Sequence, residues 1–169
     1  MKSGTGETIK KVHALFKDTD RTLSIAESCT GGLVSHYITT ISGASTFFKA
    51  GVVSYSEESK KNILRISPDT ISSYGVVSAE TAREMAENVR SLAKSDFSVS
   101  TTGNLGPDVL EEKERGLIYV AAAREGRTMC RELKLKGNRE ENKREAATSA
   151  LRLLIELVEE ESNEITIPH

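Results

Sequence analysis

The chain has 169 residues, 37% of them hydrophobic and 28% charged, with a net charge of −2 and a pI near 6.0. That is chain enough for one domain with a true core, and the balance excludes a disordered or low-complexity protein. It gives no electrostatic draw toward nucleic acid or an anionic membrane, and with no Trp, four Phe and four Tyr there is no aromatic platform for stacking bases.

The two cysteines, Cys29 and Cys130, are too few for a disulfide scaffold and have no metal-ligand spacing around them, which fits a reducing compartment. The first residues, with Glu7, Lys10 and Lys11, lack the apolar stretch of a signal peptide, and no apolar run reaches the length of a membrane span. A cytoplasmic protein with no membrane or nucleic-acid partner is the expectation.

Ile9, Val12, Leu15 and Phe16 predict an amphipathic helix over residues 7–16, followed by a short strand over 22–26. Thr30-Gly31-Gly32 turns the chain into a second helix with Leu33, Val34, Tyr37 and Ile38 on its apolar face. Residues 47–55 read as a buried strand, and 57–64 as a short helix stopped near Pro68. Ser78 is an N-cap candidate for a helix over 81–93 that turns Ala82, Met85, Ala86, Val89 and Leu92 inward. Phe97, Val99 and Thr101 alternate as a strand, residues 117–123 form an apolar central strand, and 129–135 pair with it across the turn at Glu125-Gly126. Ala146, Ala150, Leu153, Leu154 and Leu157 mark a long closing helix. The polar tail over 159–169 is expected to be loose, with Ile165-Thr166-Ile167 able to add a strand to a neighbour, which is compatible with a homo-oligomer. Strands alternating with helices and a hairpin near the end give an α/β fold on a mixed sheet, as a single domain with its core over about 7–158.

In open α/β sheets ligands bind beyond the carboxyl ends of the strands. Two turns of that kind stand out: Glu27-Ser28-Cys29-Thr30-Gly31-Gly32, on which an active centre is expected, and Thr101-Thr102-Gly103-Asn104-Leu105-Gly106-Pro107. Their glycines allow close backbone approach, and a helix N-terminus offers N–H groups to an anion or an oxyanion. Ordinary capping chemistry accounts for such turns equally well. The phosphate-loop and dinucleotide fingerprints are absent, as is Gly-x-Ser-x-Gly. A nucleophilic Ser28 needs a base. His13, His36 and His169 are better read as structural or incidental, which leaves a neutral lysine, with Lys60 and Lys61 the positions to consider. Ser91-Leu92-Ala93-Lys94 lies at a helix end and reads as surface. Lys134, Lys136, Arg139, Lys143 and Arg144 form either a solvated basic face or a clamp for a phosphate or carboxylate.

Together these segments resemble the CinA C-terminal family, whose stand-alone members include nicotinamide-nucleotide amidases. The resemblance runs through Ala26-Glu27-Ser28-Cys29-Thr30-Gly31-Gly32, Ile41-Ser42-Gly43-Ala44-Ser45, Gly51-Val52-Val53-Ser54-Tyr55-Ser56 with Lys60, and Gly75-Val76-Val77-Ser78. It continues in Thr102-Gly103, Gly106-Pro107, Gly116-Leu117-Ile118-Tyr119 and Gly137-Asn138-Arg139-Glu140. It implies a three-layer α/β/α domain on a mixed, mostly parallel five-stranded sheet. It also implies deamidation of nicotinamide mononucleotide to nicotinate mononucleotide and ammonia, by a serine–lysine acyl-enzyme route with no metal and no organic cofactor. The family's catalytic pair falls on Ser28 and Lys60. Its substrate-binding positions fall on Tyr55, Thr30, Gly31, Gly32, Thr102, Gly103 and a basic residue at Arg139 or Arg144. The nucleotidyl-hydrolase half of longer relatives is not expected here. Three departures stand out: Glu57 where Asn is usual, the rewritten run Asn104-Leu105-Gly106-Pro107-Asp108-Val109-Leu110, and a second basic position that aligns with Lys143 or Arg144. Glu57 and the rewritten run favour an alternative, a pocket that binds a pyridine nucleotide or another anion without turnover, while the retained Ser28 and Lys60 favour the enzyme.

Overall fold

A computed structural model describes residues 3–108 and 111–166. In chain order its elements are α1 (Ser3–Phe16), β1 (Leu23–Glu27), α2 (Leu33–Thr39), β2 (Phe48–Val53), α3 (Glu57–Asn62), α4 (Pro68–Tyr74), α5 (Ala79–Ala93), β3 (Phe97–Gly103), β4 (Leu117–Arg124), β5 (Arg127–Lys134) and α6 (Arg139–Thr166). The strands form one sheet in the order β2-β1-β3-β4-β5. β1 pairs parallel with β2 and with β3, and the two hairpin pairings, β3 with β4 and β4 with β5, are antiparallel. Four strands therefore point one way and β4 opposes them, which makes the sheet mixed.

The period-two alternation of strand side chains assigns each face to a different layer. Leu23, Ile25, Phe97, Val99, Ile118 and Val120 join the large core under α1, α2 and α6. The opposite face carries small residues, Ala26 against Met85 and Val89, and Ala121 and Ala123 against Ala82 and Ala86. Small side chains let α5 lie close, and Ser98 and Ser100 fill the gap by donating to the Ala86 and Ala82 carbonyls at 2.6 and 2.5 Å. Helices on both faces complete the three-layer α/β/α arrangement.

The structure departs from the sequence reading in four places. β2 is an edge strand whose residues alternate between half-buried and exposed, not a buried strand. Pro68 does not end helical structure but sits at the first position of α4, where its missing N–H has no helical partner to lose, and Ser67 caps that helix. Leu92, in the last turn of α5, is 49% exposed. The expected loose tail is helical as far as Thr166, because Glu156, Glu159, Glu160, Glu161 and Glu164 meet Arg131, Lys11, Arg127, Arg21 and Arg124 on α1, the segment before β1 and the β4–β5 hairpin. Ile165 and Thr166 thus belong to a helix rather than an added strand, and residues 167–169, with His169, lie outside the described residues. No described helix is long and apolar enough to cross a membrane.

Candidate active site

Three strand ends meet side by side at one edge of the sheet. Ser54 N–H, just past β2, donates to the Glu27 carbonyl at 2.7 Å, and Ser28 N–H, just past β1, donates to the Thr101 carbonyl of β3 at 3.0 Å. Ser28 is thereby fixed in the middle of the edge, with the chain leading to α3 on one flank and the chain leaving β3 on the other.

The turn that carries Ser28 is locked from below. Gly31 and Gly32 adopt positive φ, 58° and 99°, a conformation that side chains with a Cβ resist. The fully buried Glu27 carboxylate then accepts from Thr30 Oγ1 (2.6 Å), Gly32 N (3.1 Å), Val34 N (3.0 Å), Ser35 N (2.8 Å) and Ser35 Oγ (2.9 Å). The three backbone N–H groups among them are orphan donors of the α2 N-terminus, and the helix dipole favours a negative charge there. Thr30 Oγ1 also meets Thr101 Oγ1 at 2.7 Å, tying the turn to β3.

Lys60 reaches Ser28 from α3. Ser56 and Ser59 form a reciprocal capping box that starts this short helix and fixes its direction. The Lys60 side chain points inward, 2% exposed, with Nζ 2.7 Å from Ser28 Oγ and donating to the Ser54 carbonyl at 2.9 Å. Burial drives its pKa down from 10.5 to about 8, against opposing influences from Cys29, Glu111 and Glu57. The first of these is inactive near neutrality, since burial pushes the Cys29 thiol up to about 12 and keeps it uncharged. A neutral Lys60 donates to Ser54 O and keeps a lone pair for the Ser28 O–H, the arrangement a general base requires. Lys61 faces away and pairs with Glu57.

Ser28 opens into a cleft of about 240 Å³ lined by Ser28, Cys29, Tyr55, residues 103–108 and Arg139. Arg139 bridges its two walls, donating to the Gly106 carbonyl at 2.5 Å and to Tyr55 Oη at 2.9 Å. Of the residues singled out in the sequence, the structure brings Ser28, Lys60, Tyr55, Gly103 and Arg139 together. Thr30 and Thr102 are buried with their hydroxyls bonded inside the protein, Thr102 to the Val76 carbonyl at 2.7 Å. Arg144 is exposed and pairs with Glu140. The residue beside Gly31 is Lys143, whose Nζ would lie 3.5 Å from a Cβ placed there. His13 is structural, bonding the Ile38 carbonyl at 2.8 Å and stacking edge-on with Phe47, and His36 is exposed. Sequence reasoning missed the capping role of Glu27 and the Ser54 carbonyl. The signal for Glu27 was present in a carboxylate directly before a Ser/Thr/Gly turn and a helix start.

The fold agrees with what known proteins show. The family model for the CinA C-terminal domain matches residues 6–158. A protein of Thermoanaerobacter pseudethanolicus that bears the name competence-damage inducible protein is 51% identical over 126 residues, 74% of this chain and 30% of that protein. A CinA-like protein of Syntrophomonas wolfei is 41% identical over 144 residues, 85% of this chain and 35% of that one. The chain thus spans about a third of the length of these curated relatives. Among solved structures, a competence/damage inducible protein from Agrobacterium tumefaciens superposes with a TM-score of 0.87 at 32% identity, covering 92% of this chain and 96% of that one. A competence or damage-inducible protein from Enterobacter asburiae gives a TM-score of 0.87 at 30% identity, covering 91% and 98%. The chain belongs to the CinA C-terminal domain family. The names of these relatives describe inducibility and specify no chemistry.

Proposed function

We propose that the protein is an amidohydrolase that uses Ser28 as nucleophile and Lys60 as general base, with nicotinamide mononucleotide as substrate. The observation that carries the reading is the buried Lys60 amine, 2.7 Å from Ser28 Oγ and with its pKa lowered to about 8. A lysine held near neutrality next to a serine hydroxyl is a paired nucleophile and base.

In this reading neutral Lys60 accepts the Ser28 hydroxyl proton as Oγ attacks the carboxamide carbon. The N–H groups of Cys29 and Thr30 follow the nucleophile directly and have no backbone acceptor within the turn, so they are the donors offered to the oxyanion. Lys60, now an ammonium, returns the proton to the departing nitrogen, ammonia leaves, and water attacks the Ser28 ester with Lys60 again as base. A cationic pyridinium in the cleft further disfavours protonation of Lys60. The substrate phosphate takes Arg139, and Lys143 rather than Arg144 is the second cation, since Arg144 is committed to Glu140 while Lys143 stands against the turn.

The test is ammonia release from nicotinamide mononucleotide by the wild type, Ser28→Ala and Lys60→Met. Release that falls at least about a thousandfold in both variants supports the pair. A folded wild type that binds the nucleotide and releases nothing replaces this reading with a non-catalytic binding pocket.

A further inference from the structure

One wall of the cleft, residues 103–108, is formed by the end of β3 and the connection that leads from it to β4. The neck of that connection is closed by backbone bonds, Asn104 N–H to the Leu117 carbonyl at 2.9 Å and Gly116 N–H to the Asn104 carbonyl at 2.7 Å. Beyond the neck the connection returns over the turn between α4 and α5. There the Glu111 carboxylate accepts from Val76 N at 2.7 Å and Val77 N at 3.3 Å, and pairs with Lys113 at 3.1 Å. Lys113 Nζ in turn donates to the Tyr74 carbonyl at 2.8 Å and the Val77 carbonyl at 2.5 Å.

The receiving turn is itself rigid. Gly75 has φ of 84°, and its carbonyl accepts from Ser78 Oγ at 3.1 Å and Thr81 Oγ1 at 2.7 Å. Thr102 Oγ1 donates to the Val76 carbonyl, which joins the same turn to the end of β3. A Cβ on Gly75 would stand 2.3 Å from Glu111 Oε2, so the turn is shaped to leave room for this carboxylate. Burial pushes the Glu111 carboxyl up, but the Val76 and Val77 N–H groups and Lys113 outweigh it and hold the carboxyl below its ordinary range, so it is ionised.

We infer that Glu111 and Lys113 are positioning residues: a paired clamp that fixes the Gly103–Asp108 wall against the α4–α5 turn and so sets substrate affinity without touching substrate. The two side chains work as a unit, each satisfying backbone groups of residues 74–77 that the other cannot. Charge-assisted bonds of this kind are the strong ones, and they tie the connection to residues 74–77, while Asn104 Nδ2 at the neck donates to the Lys113 carbonyl at 3.4 Å. The wall keeps its shape because both ends are held.

The inference rests on the amidase reading for its kinetic arm and on the structure alone for the other. Amide hydrogen exchange at Asn104, Leu105, Gly106 and Asp108 is measured in the wild type, Glu111→Gln, Lys113→Met and Gly75→Ala, together with KM and kcat for nicotinamide mononucleotide. The clamp predicts exchange faster by about tenfold or more in all three variants, a KM raised by about tenfold with kcat little changed in Gly75→Ala, which keeps the Glu111 charge that acts on Lys60, and recovery of exchange and KM in Lys113→Arg. Unchanged exchange in Glu111→Gln and Lys113→Met overturns the clamp. Faster exchange with an unchanged KM, or a loss confined to kcat, overturns its role in affinity. A wild type that releases no ammonia removes the amidase reading, and exchange then decides the clamp by itself.

Discussion

The cleft is built from two connections that leave adjacent parallel strands at the same edge of the sheet, and they are held in opposite ways. The turn after β1 is short and is locked by one fully buried carboxylate with five donors, all within eight residues of Glu27. The connection after β3 is long, and it is held by its neck and by side chains that reach back to residues 74–77. The first places Ser28, the proposed nucleophile, and the second lines the cleft in front of it. Rigid chemistry on local geometry and adjustable recognition on a longer loop is a division that lets one scaffold keep a reaction while its substrate wall is rewritten.

The largest effect expected from breaking this contrast is in the turn. Glu27→Gln keeps the shape but places an NH2 group among donors that need an acceptor, in a fully buried site. It should lower stability by about 3 kcal/mol, a drop of about 10 °C in Tm, measured by calorimetry. A Tm within a degree or two of wild type would mean that the turn holds itself without Glu27.

A smaller effect is expected across the cleft. Arg139→Ala removes the bridge between the Gly106 carbonyl and Tyr55 and should raise KM for a phosphate-bearing substrate about tenfold. Arg144→Ala removes one exposed ion pair and should change KM less than about twofold. Equal effects in steady-state kinetics would contradict the placement of the phosphate.

The smallest effect has the opposite sign. Lys60 is protonated in the unfolded chain up to 10.5 but in the folded protein only up to about 8. The unfolded state therefore binds more protons between those values, and stability rises as pH climbs through that window. Below about pH 8 the full penalty, about 3 kcal/mol, stands. Lys60→Met at pH 7 should thus stabilise the protein by about 1 kcal/mol once the lost bond to Ser54 O is deducted, with the advantage fading as pH passes 8 toward 10.5. Chemical denaturation at two pH values reads this, and a destabilised Lys60→Met at pH 7 would show that the buried amine is not strained.

What was legible in the sequence follows the same contrast. Strand-turn-helix at Ser28, the cap at Ser78 and the β4–β5 hairpin are set by residues within a few positions of one another, and periodicity and capping chemistry expose them. β2 read as buried because Gly51-Val52-Val53 is apolar, whereas exposure depends on which strands pair, a long-range fact. The continuation of α6 to Thr166 depends on arginines scattered over residues 21–131, which no local pattern joins to Glu156–Glu164. Pro68 is ambiguous in sequence, a stop for one helix or a start for the next, and only the Ser67 cap decides it. In the site, the turn at Ser28 was legible from the residues and the family resemblance chose Lys60 over Lys61, whereas the approach of Lys143 rather than Arg144 to the Gly31 turn is visible only in the geometry, since neighbours on a helix differ by about 100° in direction.

The central claim is that Ser28 and Lys60 form one nucleophile–base unit. The most direct test is the rate at which a serine-directed fluorophosphonate labels the protein as a function of pH, with the adduct located by mass spectrometry. The account predicts one adduct on Ser28, a rate that rises with pH and levels off above about 8 as Lys60 loses its proton, and no adduct in folded Lys60→Met. Labelling that is independent of pH, or that persists unchanged in Lys60→Met, would contradict it.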